Sequence, residues 1–253
     1  MNQLKKFIEL NQNISRKIEK MLPHAKPDIT DKYSQIVSEY ANKQKNQVIV
    51  DLGGGRSSPF VKYLNKKLKN QLIVVDEDES ELEKNISANK TLVADINKPL
   101  PLKPQSVDLV VSRYVLEHLE GVPNFIINSK KILKDGGYSI NLFSCKFAIF
   151  SILNQLIPSK LAKILLNNLI PGSQHIRGFK TNYNYCFYDS IINIYLKNGF
   201  TVEKIKLSYY QSRYFSFFLP FYIVSIIYEL ILYTLGLKNL CAYILIIARK
   251  NGD

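Results

Sequence analysis

Between residues 47 and 143 short apolar runs alternate with helical stretches, a rhythm that few folds can accommodate. Residues 48–52, 72–75, 92–94, 107–112 and 138–143 read as five strands. Stretches starting near Pro59 and covering 79–85 and 124–133 read as the helices between them. Strand, helix, strand in this order argues for a parallel sheet with helices on both faces. Downstream, residues 189–197 are helical, 201–207 alternate as a strand, and 240–248 form a last apolar strand.

Residues 1–45 lie outside this rhythm and read as two helices around a break at Pro23 and Pro27. Leu4, Phe7, Ile8, Ile14 and Ile18 mark the stripe of the first, and Tyr33, Ile36, Val37 and Tyr40 that of the second. Asp31 is the candidate cap of the second helix. Both helices are expected to pack over something else rather than fold alone. The resulting organisation is an N-terminal helical cap (1–45), a core (46–207 and 239–250) with an insertion at 144–190, and an apolar helical insert at 208–238.

The chain has 253 residues, 46% apolar and 22% charged, enough to bury a real core, which excludes wholesale disorder and collagen-like architecture. Cys145, Cys186 and Cys241 are too scattered for a disulfide scaffold, and neither they nor His24, His118 and His175 show paired zinc spacing. No metal site is expected. Lys5, Lys6, Glu9, Arg16, Lys17, Glu19 and Lys20 break the first 22 residues, so no secretory signal is read there and a reducing, cytoplasmic setting is expected. The net charge of +13 is uneven: +4 over residues 1–47, +1 over 48–143 and +8 over 144–253. Nucleic acid, an anionic membrane surface or an anionic substrate could each answer such a field, and so could a bare need for solubility.

The chemistry concentrates at three strand ends. Gly53, Gly54 and Gly55 directly follow the first strand, where glycines let the backbone turn sharply and approach a ligand. Asp51 precedes them, a poor neighbour for a pyrophosphate, and Ser58 stands where a dinucleotide fingerprint wants its third glycine. A ligand with a cationic group fits this turn better. Asp76 ends the second strand, with Glu77 beside it, and an ionised carboxylate there can accept from both hydroxyls of a ribose. Asp95 ends the third and can accept from an adenine amino group, while Ile96 offers the ring an apolar face. Each acid alone reads as a cap or turn residue; three at successive strand tips are expected to share one crevice.

With those residues the chain resembles the class I S-adenosylmethionine-dependent methyltransferases. The resemblance rests on Val48-Ile-Val-Asp-Leu-Gly-Gly-Gly55, Asp76, Asp95-Ile96, the stretch 106–119 ending Leu116-Glu-His-Leu119, and Ile132-Leu-Lys-Asp-Gly-Gly-Tyr-Ser-Ile140. It covers about residues 46–145, with weaker support from 189–207 and 240–250. Ser57 departs from the family where many members carry another glycine. The resemblance implies a Rossmann-like, seven-stranded, mostly parallel sheet whose last strand is antiparallel. It also implies S-adenosyl-L-methionine as cofactor, held by Asp51, Gly53, Gly54, Gly55, Asp76, Glu77, Asp95, Ile96 and Arg113. His118, in the loop after the fourth strand, is the candidate base toward an acceptor, with Glu117 orienting it; both also read as ordinary helix residues.

The acceptor is not written in the core. Residues 214–236 carry one charge, Glu229, and are long enough to span a bilayer, yet they sit between two strands expected to pair, so both ends must return to one side. Pro220 is expected to break the segment, and Tyr222, Ser225, Glu229 and Tyr233 to form a wet stripe on an interfacial helix or hairpin. A dimer interface or an extra core helix is the bland alternative. The expected enzyme methylates a small or lipid-linked acceptor at the inner membrane face, as a peripheral protein. RNA methylation, a silent binding module on the same fold and a nicotinamide dehydrogenase are the competing readings. No Asn/Asp-Pro-Pro-Tyr motif follows the fourth strand, which weighs against nucleic acid; Asp51 and Ser58 weigh against the dehydrogenase.

Overall fold

A computed structural model describes residues 3–22, 28–157 and 181–252. Seven strands form one sheet: β1 (Val48–Leu52), β2 (Gln71–Asp76), β3 (Lys90–Val93), β4 (Val107–Arg113), β5 (Leu133–Ser144), β6 (Phe200–Ser208) and β7 (Tyr243–Lys250). Their spatial order is β3-β2-β1-β4-β5-β7-β6, with β7 antiparallel to both its neighbours and every other pair parallel. The chain leaves β1 toward β2 and β3, then returns to β4 on the other side of β1. That reversal opens a crevice beyond the carboxyl ends of β1 and β4, where open α/β sheets bind ligands.

The helices are α1 (Gln3–Glu19), α2 (Ile29–Ala41), α3 (Glu79–Leu82), α4 (Val122–Ile132), α5 (Ile149–Leu156), α6 (Tyr188–Lys197) and α7 (Leu219–Leu235). Side chains alternate across the strands and build two cores. Val50, Leu52 and Val110 join Phe125 and Ile126 of α4 and Tyr195 of α6 on one face. Ile49, Val74 and Val111 join Tyr33, Ile36 and Val37 of α2 on the other. The apolar stripe expected for the second N-terminal helix packs on the sheet, in line with the expectation that this helix does not fold alone.

Several local expectations shift. Asp28, not Asp31, caps α2: its carboxylate accepts from the Thr30 amide at 2.7 Å. The helix expected near Pro59 is two short 3-10 turns, Pro59–Tyr63 and Lys66–Leu68. Strand β5 starts at Leu133, paired with Val107, earlier than its apolar run suggests. The break expected at Pro23 and Pro27 and the residues His24 and His175 lie outside the described residues, as does the stretch after Pro158, where Leu161, Leu165 and Leu169 read in sequence as one side of a helix. The three cysteines, all buried and unbridged, belong to the interior.

The largest revision concerns α1 and α7. Pro220 sits in the first turn of α7 and starts the helix instead of breaking it, since its missing N–H is an orphan there anyway. Tyr222, Ser225 and Glu229 are buried, so the polar stripe faces the protein and not water; Tyr233 alone is exposed. Glu229 accepts from the amides of Gln211 (2.8 Å) and Ser212, which satisfies the one charge on the helix. α1 lies against α7 through Ile8, Asn11 and Ser15: the Asn11 Oδ1 accepts from the Leu219 amide at 2.8 Å, and the Tyr222 hydroxyl donates to the Ser15 carbonyl at 3.0 Å. The remaining apolar residues, Leu4, Phe7, Leu10 and Ile14 of α1 and Phe221, Val224, Ile227 and Ile231 of α7, are exposed. At 17 residues α7 is ~25 Å long, short of the ~30 Å hydrocarbon layer. No described helix is long and apolar enough to cross a membrane.

Candidate functional site

The glycine turn is fastened from the β2 side. The Gly53 amide donates to the Val75 carbonyl at 2.7 Å and the Gly55 amide to the Asp76 carboxylate at 3.0 Å. Asn85 donates to the Gly55 carbonyl at 2.8 Å, and Arg56 grips Glu81 of α3 with two guanidinium nitrogens. Gly53 has φ +72°, and a Cβ there would lie 2.5 Å from the Val115 Cγ2. A Cβ on Gly54 would lie 2.7 Å from the Asp51 carboxylate and 2.8 Å from the Val74 Cγ1. Only glycine lets this turn lie flush on the strand ends.

A hollow of about 240 Å³ opens beside the turn. Gly53, Asp76 and Glu77 form one side of it, Ala94, Asp95, Ile96 and Asn97 another, and Tyr114, Val115, His118 and Leu119 the third. A wider space of about 610 Å³ continues from it past Glu77, Asp95, Asn97 and His118 to Glu120, Gly121, Asn124 and Asn182. The acids at the second and third strand tips thus share one crevice with the glycine turn, Ile96 and His118.

Asp51 departs from the expected placement. Ile49 and Asp51 face α2, so the carboxylate lies beneath the turn, 4% exposed, and is not part of the hollow's surface. The Ser58 hydroxyl donates to it at 2.6 Å, which explains why serine stands there. Burial pushes the Asp51 carboxyl up to about 7; Ser58 and the Arg113 charge hold it down and the Asp76 charge adds to the rise. Arg113 also lies off the hollow, on the Asp51 side, 5.9 Å over the Tyr114 ring.

Asp76, which lines the hollow, has one oxygen on the Gly55 amide and the other on the Asp78 amide, both at 3.0 Å, and a carboxylate has acceptor capacity beyond these two bonds. Asp95 is held below the ordinary carboxylate range, first by the Asn97 amide at 2.9 Å and also by the Lys98 ammonium at 3.4 Å. It stays ionised and able to accept. Such a hollow suits a purine ribonucleoside: two carboxylate acceptors for ribose and for an exocyclic amine, an apolar side at Ile96 and Leu119, and a turn without side chains.

Glu117 does not face the hollow with His118. It is 3% exposed, accepts from the Ser144 amide at 3.2 Å and fixes the loop after β4 from inside; burial raises its pKa. Its backbone carbonyl takes the amides of Asn182 (2.8 Å) and Tyr183 (2.9 Å), which brings residues distant in sequence to the rim. Sequence reasoning missed Tyr114, Val115, Asn97 and Asn182. Tyr114 adopts φ +58°, a conformation that tyrosine gives no sign of favouring. Its hydroxyl is 2.7 Å from the Thr30 Oγ1, which ties α2 to the hollow.

Residues 50–141 match the family model described as a methyltransferase domain. No curated protein matches the chain. Among solved structures, geranyl diphosphate C-methyltransferase from Streptomyces coelicolor A3(2), with Mg2+, geranyl diphosphate and S-adenosyl-L-homocysteine, superposes with TM-score 0.56 at 12% identity, over 87% of this chain and 79% of that one. Phosphoethanolamine N-methyltransferase 2 of Haemonchus contortus, with S-adenosyl-L-methionine, gives 0.53 at 13%, over 88% of this chain and 53% of that one. The [4+2]-cyclase SpnF gives 0.57 at 13%, over 88% and 82%. At such identities the likeness is one of fold, and the fold carries more than one reaction.

Proposed function

We propose that this chain, a class I S-adenosylmethionine-dependent methyltransferase by its domain over residues 50–141, methylates a small amphipathic or lipid-linked acceptor at an anionic membrane surface. One observation carries the reading: the side-chain-free turn at Gly53–Gly55, Asp76, Asp95 and Ile96 meet around a single hollow. The residues fit the cofactor. Asp76, with Glu77 beside it, would take the ribose, Asp95 the adenine amine and Ile96 the ring. Asp51, beneath the turn, and Arg113 lie off the hollow and would act on the amino-acid end of the cofactor through their charge rather than by lining its pocket. The bound cofactor supplies an electrophilic methyl on a sulfonium, so the protein needs to align the acceptor and exclude water rather than activate the donor. His118, between the narrow and the wide space, is placed to take a proton from an acceptor that must lose one.

The membrane part rests on the α1–α7 pair. Its outer face presents Leu4, Phe7, Leu10, Ile14, Phe221, Val224, Ile227 and Ile231, with Lys5, Lys6, Arg16, Lys17, Arg213 and Lys238 exposed on and around it. Burying such a side chain is worth about 1.5–3 kcal/mol, and a basic residue near anionic lipid about 1 kcal/mol. Apolar surface ringed by cations matches an anionic lipid layer better than a second copy of the same positive chain, which it would repel.

Two measurements test this. S-adenosylhomocysteine should raise the melting temperature and NAD should not; the opposite result would overturn the cofactor assignment. Transfer of labelled methyl from S-adenosylmethionine should mark a product in the lipid fraction of a total extract, and a label confined to RNA would overturn the acceptor class.

A further inference from the structure

The wide space that continues from the hollow past His118 has a chemistry of its own. Glu77, Asp95 and Glu120 bring carboxylates to it, and Asn97, Asn124 and Asn182 bring carboxamides. Among the described residues no lysine or arginine lines it, although the chain carries a net charge of +13. Lys98 pairs with Asp95 at 3.4 Å but lines neither space. A phosphate or carboxylate on the acceptor would meet like charge here. The N-terminus of α4 opens at Gly121, where an anion could otherwise be held. Pro123 has no amide, however, and the amides of Asn124 (2.9 Å) and Phe125 (3.2 Å) both donate to the Gly121 carbonyl, so this turn offers no cradle of amides. An amine fares little better: nearby carboxylates raise the pKa of an ammonium, and a protonated nitrogen has no lone pair to give. Hydroxyls fit. Each donates and accepts, as a carboxamide does, and a carboxylate can accept from two neighbouring hydroxyls at once. The wall is also held in place. Asn182 donates from its Nδ2 to the His118 carbonyl at 2.8 Å, and Asn184 from its Nδ2 to the Glu120 carbonyl at 3.2 Å.

We propose that the wide space takes a hydroxyl-rich ring, a sugar, as the acceptor, methylated on a hydroxyl oxygen, with Glu120 and Asn124 selecting it against anionic and amine acceptors. This names the acceptor of the methyltransferase reading and rests on it. A hydroxyl must lose its proton as it attacks, which gives His118, on the border of the two spaces, its task. The hydroxyl oxygen bonds the methyl carbon, the carbon–sulfur bond breaks with its electron pair left on sulfur, and the hydroxyl proton passes to His118. The sugar is either free or the head of a lipid, since the same hydroxyls would meet the same wall.

The test is saturation-transfer NMR titration of the full chain loaded with S-adenosylhomocysteine, using a set of methyl hexopyranosides, phosphoethanolamine and ethanolamine as probes. At least one methyl hexopyranoside should bind, and the other two probes should not. Glu120→Ala and Asn124→Ala, both at exposed positions, should weaken that glycoside about fivefold, the size of one hydrogen bond, with calorimetric affinity for S-adenosylhomocysteine unchanged. Labelled methyl transferred into a total extract should appear after acid hydrolysis as an O-methyl sugar, from the lipid fraction if the sugar is lipid-linked and from the aqueous fraction if it is free. No glycoside binding, binding of phosphoethanolamine or ethanolamine alone, glycoside affinity unchanged in both variants, or label on an amine would overturn the inference and leave the cofactor reading standing. Variants that lose S-adenosylhomocysteine together with the glycoside would also overturn it, because Glu120 and Asn124 would then serve the fold or the cofactor. Wild type that does not bind S-adenosylhomocysteine would remove the cofactor reading and this inference together.

Discussion

Gly54 and Asp51 form one contact, and each limits what the other can be. Replacing Gly54 by alanine puts a Cβ 2.7 Å from the Asp51 carboxylate and 2.8 Å from Val74, so the turn must lift, at a cost of about 1–3 kcal/mol. Gly54→Ala should lower both the melting temperature and the affinity for S-adenosylhomocysteine. Asp51 also sets a pH dependence. Its folded pKa of about 7 lies above the unfolded value of ~3.9, so the folded chain keeps a proton that the unfolded chain has given up. That contributes stability which is present below the unfolded pKa and lost as pH rises through about 7. A ligand ammonium in the hollow favours the ionised form of Asp51 through its field, so affinity should move the other way. Between roughly pH 6 and roughly pH 8 the ligand-free melting temperature should fall and the affinity for S-adenosylhomocysteine rise, with both slopes flattened in Asp51→Asn.

At the scale of elements, α7 decides where an apolar segment points. Glu229 is buried on backbone amides from the Ser212 turn, and Glu229→Ala leaves those donors unpaired inside the protein. The loss should be about 3 kcal/mol, or roughly 6–12 °C in melting temperature for a domain of this size. The outer face behaves differently. Ile227 is 54% exposed and Ile226 only 7%, though they are neighbours in sequence. Ile227→Asp should abolish flotation with anionic vesicles at unchanged melting temperature, while Ile226→Asp should unfold the chain. Vesicle binding by Ile227→Asp equal to wild type, or a wild-type dimer in solution with no flotation, would remove the membrane reading. The 3.6-residue stripe of α7 was legible from sequence, but not its direction. Hydropathy alone places Tyr222, Ser225 and Glu229 toward water; the amides of Gln211 and Ser212 reverse that by offering a buried carboxylate its partners. The same holds for α1, whose stripe reads as a core face until Asn11 and Ser15 turn out to carry the packing against α7.

On the scale of the whole molecule, the charge halves its meaning once located. The nearly neutral stretch 48–143 holds β1 to β5 up to Phe143 and the narrow hollow, while the excess lies before and after it, with Lys5, Lys6, Arg16, Lys17 and Lys20 on or just past α1 and Arg213 and Lys238 at the two ends of α7. Vesicle binding should therefore weaken steeply with ionic strength and with loss of anionic lipid, whereas S-adenosylhomocysteine binding should barely respond to either. The N-terminal residues also count toward the core, since Tyr33, Ile36, Val37 and Ala41 are at most 3% exposed against the sheet. Removing residues 1–45 should cost the fold itself, visible as loss of a cooperative melting transition, and not merely substrate choice.

The order of strands and helices, the glycine turn and the acids Asp76 and Asp95 could all be read along the chain. Each depends on local rules: apolar runs of strand length, glycine where the backbone must turn, an acid at a strand tip that a ribose can reach. Other features depend on atoms far apart in sequence and wait for the chain to close. The Asp51 carboxylate lies under the turn because the pleat sends it toward α2, where the Ser58 hydroxyl meets it. Tyr114 lines the hollow in a backbone conformation that its own side chain disfavours. Periodicity fixes which residues share a side; the partners that side acquires, and so whether a buried polar group is satisfied or left open to a ligand, are decided by packing alone.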